Sequence, residues 1–345
     1  MRDCAMSGKI LTSTFFLWIA FAGFFLAKTQ TVTQEYSRTV ILMGSSFSFT
    51  AVSEDSTIAY AAMDSGIAEV HRIEQLISSW NPGSETSNIN RNAGIQPVVV
   101  NQELLQLIQR SKKVSALTQG AFDITFSAAG PLYLFDGKEH ELPDSAQVAA
   151  SVSHIDYMKI ETDAEALTVF LPKAEMKIGF GAIGKGYAAN RAREKMKQAG
   201  ISSGIVNAGG DLISWGAAPG ATAWEVAIIN PVKNNEIFGW LQVNNMAVVT
   251  SGNYEKYFTC NGLRYSHIID PRNGYPAKDI ASVTVVCADA ELADALATAV
   301  FVLGKKGIEL INQLNGIECL VIDEAGKTYT SENLQLHFYQ KKDKQ

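Results

Sequence analysis

The chain has 345 residues, 47% of them hydrophobic and 19% charged, with 29 Lys and Arg against 35 Asp and Glu. This composition excludes a disordered chain, a collagen-like repeat and a polytopic membrane protein, and it allows one large domain with a substantial core. A net charge of −6 leaves no basic footprint for nucleic acid. Four scattered cysteines (Cys4, Cys260, Cys287, Cys319), with no CxxC pair, point away from a disulfide scaffold, a zinc site or thiol chemistry.

Residues 1–9 form a basic flank that carries Arg2 and Lys9. Ile10–Ala27 comes next as 18 residues without a charge, a length between a signal-peptide core and a short membrane-spanning helix. A buried core helix is the bland alternative, disfavoured because Trp, Phe and Leu surround the axis on all sides. The preceding basic residues favour a cytoplasmic N-terminus and export of the rest of the chain. No Cys stands at the end of the run to take a lipid. The expectation is a signal peptide or an N-terminal membrane anchor over 10–27, and a periplasmic domain on the outer side of the cytoplasmic membrane.

The exported part, 37–335, reads as one mixed α/β domain. Met63, Ile67, Val70, Ile73 and Ile77 recur at spacings of three and four, which predicts a helix ending before the Asn81-Pro82-Gly83 turn. Leu104, Ile108 and Leu117 predict a second helix. Ala188, Ala192 and Met196 predict a third, stopped by Gly200, and Leu292, Leu296, Val300 and Leu303 a fourth, stopped by Gly304. Between them lie β-rich runs at Pro97–Val100, Leu167–Leu171, Trp224–Ile229, Met246–Val249, Ser282–Cys287 and Gly316–Ile322. Their irregular connections predict a mixed, partly antiparallel sheet flanked by helices.

Candidate chemistry gathers in glycine-rich runs. Gly181-Ala182-Ile183-Gly184-Lys185-Gly186, ahead of a predicted helix, offers bare N–H groups, a helix N-terminus and a cation, a combination suited to a pyrophosphate. It is not a Walker A loop, because Lys185 is followed by Gly186 rather than a hydroxyl residue, and a structural glycine turn is an equal reading. Asp294 and Thr298 stand four apart on one predicted helix face. One carboxylate and one hydroxyl suit Mg²⁺ completed by phosphates and waters, or else form a cap or a buried polar pair. His267, close to Asp270-Pro271, is a structural histidine or a proton acceptor. Asp123 is a cap or a ligand contact. Trp80 is a core plug or an aromatic face for a heterocycle, and Tyr254 and Tyr257, taken as one helical turn apart, are equally open.

In their order, the stretches MGSSF, ISSWNPGSETSNIN, GAFDIT with GPL, GAIGKGYAAN, VNAGGD, VVTSGNYEKYF, YSHIIDPRNGYP and ADALATAVFVLG, from Met43 to Gly304, resemble the ApbE-type FAD:protein FMN transferase family. The resemblance implies a compact α/β fold with FAD between two lobes. It also implies an exported, Mg²⁺-dependent enzyme that cleaves the FAD pyrophosphate, releases AMP and leaves FMN esterified to Thr or Ser of an acceptor protein. It places Met43 and Trp80 at the flavin, Ala121, Phe122 and Asp123 on the adenosine side, and Lys185 and Ile268 near FAD. The Ala182 carbonyl, Asp294 and Thr298 are implied metal ligands, and His267 an implied catalytic group, with Asp270 expected to orient it. Gly179-Phe180-Gly181 departs from the D-L-G common in the family, and Trp80 stands where Tyr is common.

Two other activities fit the same residues: an FAD pyrophosphatase that releases free FMN, and an exported flavin-binding electron carrier. A reporter fused after Gln30 tests the export expectation. Activity only outside the cytoplasm is expected, and cytoplasmic activity of the reporter rules it out.

Overall fold

The computed structural model describes residues 33–232 and 236–338, so the apolar run at 10–27 and the anchor or signal expected of it lie outside the described residues. Among those described, no helix is long and apolar enough to cross a membrane.

An eight-stranded sheet organises the domain. Its strands are β1 (Gln34–Leu42), β2 (Ser45–Ser53), β6 (Ser203–Ala208), β7 (Asp211–Trp215), β10 (Ala247–Gly252), β13 (Ile280–Cys287), β14 (Glu318–Asp323) and β15 (Thr328–Thr330), in that spatial order. Every pairing between neighbours in it is antiparallel. Three smaller sheets attach: β3 (Val98–Val99), β4 (Glu161–Asp163) and β5 (Thr168–Phe170); β8 (Trp224–Ile229), β9 (Ile237–Val243) and β16 (His337–Phe338); and the hairpin β11 (Tyr257–Cys260) with β12 (Leu263–Ser266). The helices are α1 (Ser56–Ile77), α2 (Glu85–Arg91), α3 (Gln102–Leu117), α4 (Ser145–Val152), α5 (Gly184–Gln198), α6 (Ala290–Leu303) and α7 (Lys305–Ile311).

The four predicted helices correspond to α1, α3, α5 and α6, and side-chain caps start α1, α3 and α6. Asp55 caps α1 by accepting the Thr57 N–H at 2.7 Å, and Asp289 caps α6 by accepting the Leu292 N–H at 2.9 Å. Their apolar faces and one face of the sheet form the main core, which includes Met63, Val70, Ile73, Ala188, Ala192, Met196, Leu296 and Val300. All eight residues of β13 are buried, because both faces of the central strands are covered. Val283 and Val285 of β13, Ala247 and Val249 of β10 and Cys319 and Val321 of β14 join the core under the helices. Their alternates Val286, Val248, Leu320 and Ile322 pack instead with Trp224, Ile228, Leu241 and Val243 of β8 and β9. A third cluster, with Tyr133, Phe258, Tyr265 and Ile269, lies under the β11–β12 hairpin. Tyr254 and Tyr257 are not on a helix: Tyr254 lies in a turn, and Tyr257 opens β11.

Two buried-end carboxylates tie the helices together. Glu69 of α1 accepts from Arg72 at 2.8 Å and from Arg191 of α5 at 3.1 Å, while Glu103 of α3 accepts from Arg72 at 2.7 Å and from the Tyr187 hydroxyl. Closest of all is the crossing of α5 and α6. A Cβ on Gly186 would lie 2.0 Å from the Ala290 carbonyl oxygen and 2.8 Å from Asp294 Cβ, so only glycine lets the two backbones meet there. Gly186→Ala tests this contact. Alanine favours a helix interior by about 1 kcal/mol, yet overpacking costs about 1–3 kcal/mol or more, so a net loss of stability is expected as a lower urea midpoint. An unchanged or raised midpoint contradicts the packing.

Candidate active site

The glycine run delivers the first turn of α5 to one end of the large sheet. Ile183 offers no side-chain cap; the Gly184 N–H donates to the Phe180 carbonyl at 2.7 Å, and the positive end of the helix faces Asp294. The Gly186 N–H donates to Asp294 Oδ2 at 3.0 Å, which fixes the carboxylate of α6 at that end. Lys185 Nζ lies 2.6 Å from Oδ2 of Asp211, which is 1% exposed and opens β7 after the Gly209-Gly210 turn. Thr298 follows Asp294 by four residues on α6 and is half-buried, as is Ala182 in the turn before α5.

These groups share one electrostatic environment. Burial opposes the charge on Lys185, but Asp211, Asp294 and Glu255 outweigh it and raise the ammonium pKa above its ordinary value. Burial pushes the Asp211 carboxyl up and Lys185 pulls it back; with Nζ at 2.6 Å, the geometry favours the ion-paired form. Burial and then the Asp211 charge push Asp294 up to about 8. Glu255, in the turn before β11, is pushed up to about 7, first by its protein surroundings and also by Asp211. Its side chain meets solvent on one side, and water there offsets part of that push.

His267 belongs to this environment. Burial lowers it to about 4, with Lys185 and Lys256 adding to the effect, so the ring is neutral at neutral pH. Its Nδ1 lies 3.2 Å from the Lys256 carbonyl, and the Phe135 ring meets it edge-on. The expected orienter Asp270 is engaged elsewhere: its carboxylate accepts twice from Arg272, at 2.8 Å each, and from Asn273 at 3.2 Å. These bonds close the Asp270-Pro271-Arg272-Asn273 turn on itself. Next to His267, the buried Ser266 Oγ finds no partner among the described residues.

The remaining predicted residues divide. Met43 and Gly44 form the two-residue turn between β1 and β2, both with positive φ (+49° and +68°), as the twist of such hairpins requires. The Met43 Cε lies 3.6 Å from where a Cβ of Gly184 would stand, so this turn borders the α5 start. Trp80 is 93% exposed, which removes the core-plug reading. Asp123 is a cap. It accepts from the Thr125 N–H and hydroxyl at 2.8 and 2.7 Å and from the Tyr157 N–H at 2.9 Å, while burial raises its pKa. Ala121, Phe122 and Ile268 are buried, and the Ile268 carbonyl accepts the Ala277 N–H at 2.8 Å.

Asp211 and Glu255 were not among the predicted residues, although they stand in the runs VNAGGD and NYEKYF. Nothing in their local spacing pairs either with Lys185. Among the described residues no three His, Cys, Asp or Glu side chains form a metal cluster. Two concavities, of about 180 Å³ beside Tyr133, His140 and Phe258 and about 480 Å³ beside Glu35, Thr222 and Trp224, include none of the predicted residues.

A model of the ApbE family matches residues 43–321. An FAD:protein FMN transferase of Klebsiella pneumoniae (strain 342) is 31% identical over 306 residues, 88% of this chain and 94% of the relative. Another, of Treponema pallidum (strain Nichols), is 30% identical over 306 residues, 84% of each chain. The crystal structure of the ApbE protein from Thermotoga maritima MSB8 superposes with a TM-score of 0.81 at 31% identity, covering 87% of this chain and 97% of that one. The apo form of the Pseudomonas stutzeri flavinyl transferase ApbE gives 0.75 at 26% identity, over 86% and 94%. Matched along most of its length in sequence and in backbone, this chain belongs to the ApbE family.

Proposed function

We propose that this chain transfers FMN from FAD to a Thr or Ser hydroxyl of an acceptor protein, forming a phosphoester-linked flavin and releasing AMP. The observation that carries the reading is the start of α5, where the Gly186 N–H and the Lys185 ammonium meet the buried carboxylates of Asp294 and Asp211. The family membership fits it. Export is part of the proposal, since the run at 10–27 favours it, and the acceptor is then an exported or membrane protein.

Mg²⁺ belongs to the proposal through charge. Asp211, Asp294 and Glu255 set three carboxyl groups against the single positive charge of Lys185, and a bound cation would draw Asp294 and Glu255, raised to about 8 and about 7, into their ionised forms. Asp294 and Thr298, with the Ala182 carbonyl, are hard oxygen donors of the kind that hold Mg²⁺ when phosphates and waters complete its shell. When bound, the ion would neutralise the pyrophosphate and ease the departure of AMP. The chain itself supplies the rest. The α5 start and Lys185 hold phosphate oxygens and orient the anhydride for in-line attack. His267, neutral and close enough to Lys185 to sense its charge, accepts the proton of the attacking hydroxyl. A P–O bond to the acceptor forms, the P–O–P bridge breaks, and the bridging oxygen leaves with AMP.

Incubation of the chain with FAD, Mg²⁺ and candidate exported proteins, followed by mass spectrometry, tests the function. Covalent FMN on an acceptor Thr or Ser is expected. Free FMN alone indicates a pyrophosphatase, and intact FAD a carrier. Asp294→Asn keeps a side chain that can still accept the Gly186 N–H, yet is expected to slow single-turnover transfer by at least ~100-fold, with Thr298→Ala milder because water replaces a neutral ligand. An unchanged Asp294→Asn rate removes the metal assignment.

The raised carboxyl of Glu255 supports a second acceptor for the proton, and pH separates the two. A base must be unprotonated, so at Mg²⁺ concentrations that keep Asp294 ionised at every pH, with His267 at about 4, the single-turnover rate stays flat as pH falls from 7 toward ~5. A tenfold fall per unit below about 7 assigns the proton to Glu255 instead.

A further inference from the structure

Asp211 is buried at the centre of the site and has no task in the transfer chemistry. We propose that Asp211 is a positioning residue that holds the Lys185 ammonium away from Asp294 and so keeps that carboxylate open to a divalent cation. The proposal rests on the reading of Asp294 as a metal ligand.

The geometry creates a competition. Lys185 and Gly186 are adjacent in the first turn of α5, and the Gly186 N–H is bonded to Asp294 Oδ2 at 3.0 Å, so the ammonium next to it has this carboxylate within its field. A lysine head is a compact charge on a flexible stem with freely rotating donors, and inside protein it stays with the carboxylate that holds it most closely. Here that carboxylate is Asp211, at 2.6 Å. Its position is set by the sheet rather than by Lys185. Asp211 pairs with Ala208 across the β6–β7 turn, and the Gly209 N–H in that turn donates to the Ser46 carbonyl at 2.9 Å. Without this fixed counter-charge the ammonium falls to Asp294 or Glu255, the other carboxylates that act on it. An internal cation on Asp294 excludes an external one.

Mn²⁺ binding to the full 345-residue chain, free of FAD, followed by the loss of the free-ion paramagnetic resonance signal, tests this, with melting temperatures confirming folding. Asp211→Asn is expected to weaken Mn²⁺ binding by about 10–100-fold, the range usual for lost support behind a metal ligand. The double variant Asp211→Asn/Lys185→Met removes the competing ammonium along with its partner and is expected to return affinity to near the wild-type value. Glu255→Gln, which removes a neighbouring carboxyl but leaves the Lys185–Asp211 pair intact, is expected to lose far less. Wild-type affinity in Asp211→Asn, equal losses in Asp211→Asn and Glu255→Gln, or a double variant as weak as the single one each overturn the proposal. Mn²⁺ bound equally well by Asp294→Asn overturns the metal reading itself, and this proposal with it.

Discussion

At Gly186 the backbones of α5 and α6 approach until no side chain fits between them, and one hydrogen bond, from the Gly186 N–H to Asp294 Oδ2, crosses the gap. The rest of the site depends on that contact. It places a buried carboxylate against the positive end of a helix, where the dipole and a direct donor offset part of the cost of burying its charge. It also fixes the direction in which Lys185, one residue earlier, leaves the helix. A larger residue at 186 would separate the helices and with them the cation and the anion of the site.

The sheet completes the arrangement from the other side. The β1–β2 turn at Met43-Gly44 and the β6–β7 turn at Gly209-Gly210 lie side by side, joined by the Gly209 N–H to Ser46 bond of 2.9 Å. Asp211 starts its strand at this end, and β10 finishes there at Gly252, before the turn that carries Glu255. Met43 holds a left-handed conformation that costs a non-glycine residue about 1 kcal/mol or more, and it does so beside the α5 start, where strain of this kind tends to collect.

Such a concentration of buried carboxylates is costly, because charges lose their hydration in the interior. Support comes from elsewhere in the same helices. Glu69, Arg72, Glu103, Arg191 and Tyr187 form an ion-pair and hydrogen-bond network among α1, α3 and α5, and Arg110 of α3 binds Glu291 of α6 at 2.7 and 3.0 Å. Around this network lies the apolar core under the helices, and β8 and β9 seal the other face of the central strands.

Four long helices, the glycine turn before α5, the four-residue spacing of Asp294 and Thr298, and the family were legible along the chain. All of these are written in residues near one another along the chain: apolar periodicity, caps such as Asp55 and Asp289, and ordered runs such as GAIGKGYAAN. Other features arise only where folding brings distant segments together. The pairing of Lys185 with Asp211 joins residues on a helix and a strand that meet through the fold, and no local pattern encodes it. The neutrality of His267 comes from burial, not from the residues flanking it, and Asp270 turned to Arg272 because its own tight turn offered nearer donors. Which face of β13 meets the helices and which meets β8 and β9 was likewise undecided in a run apolar on both sides. Periodicity and caps act over a few residues and can be read along the chain, whereas pKa values, ion pairs and the choice of face depend on what folding brings within a few ångströms.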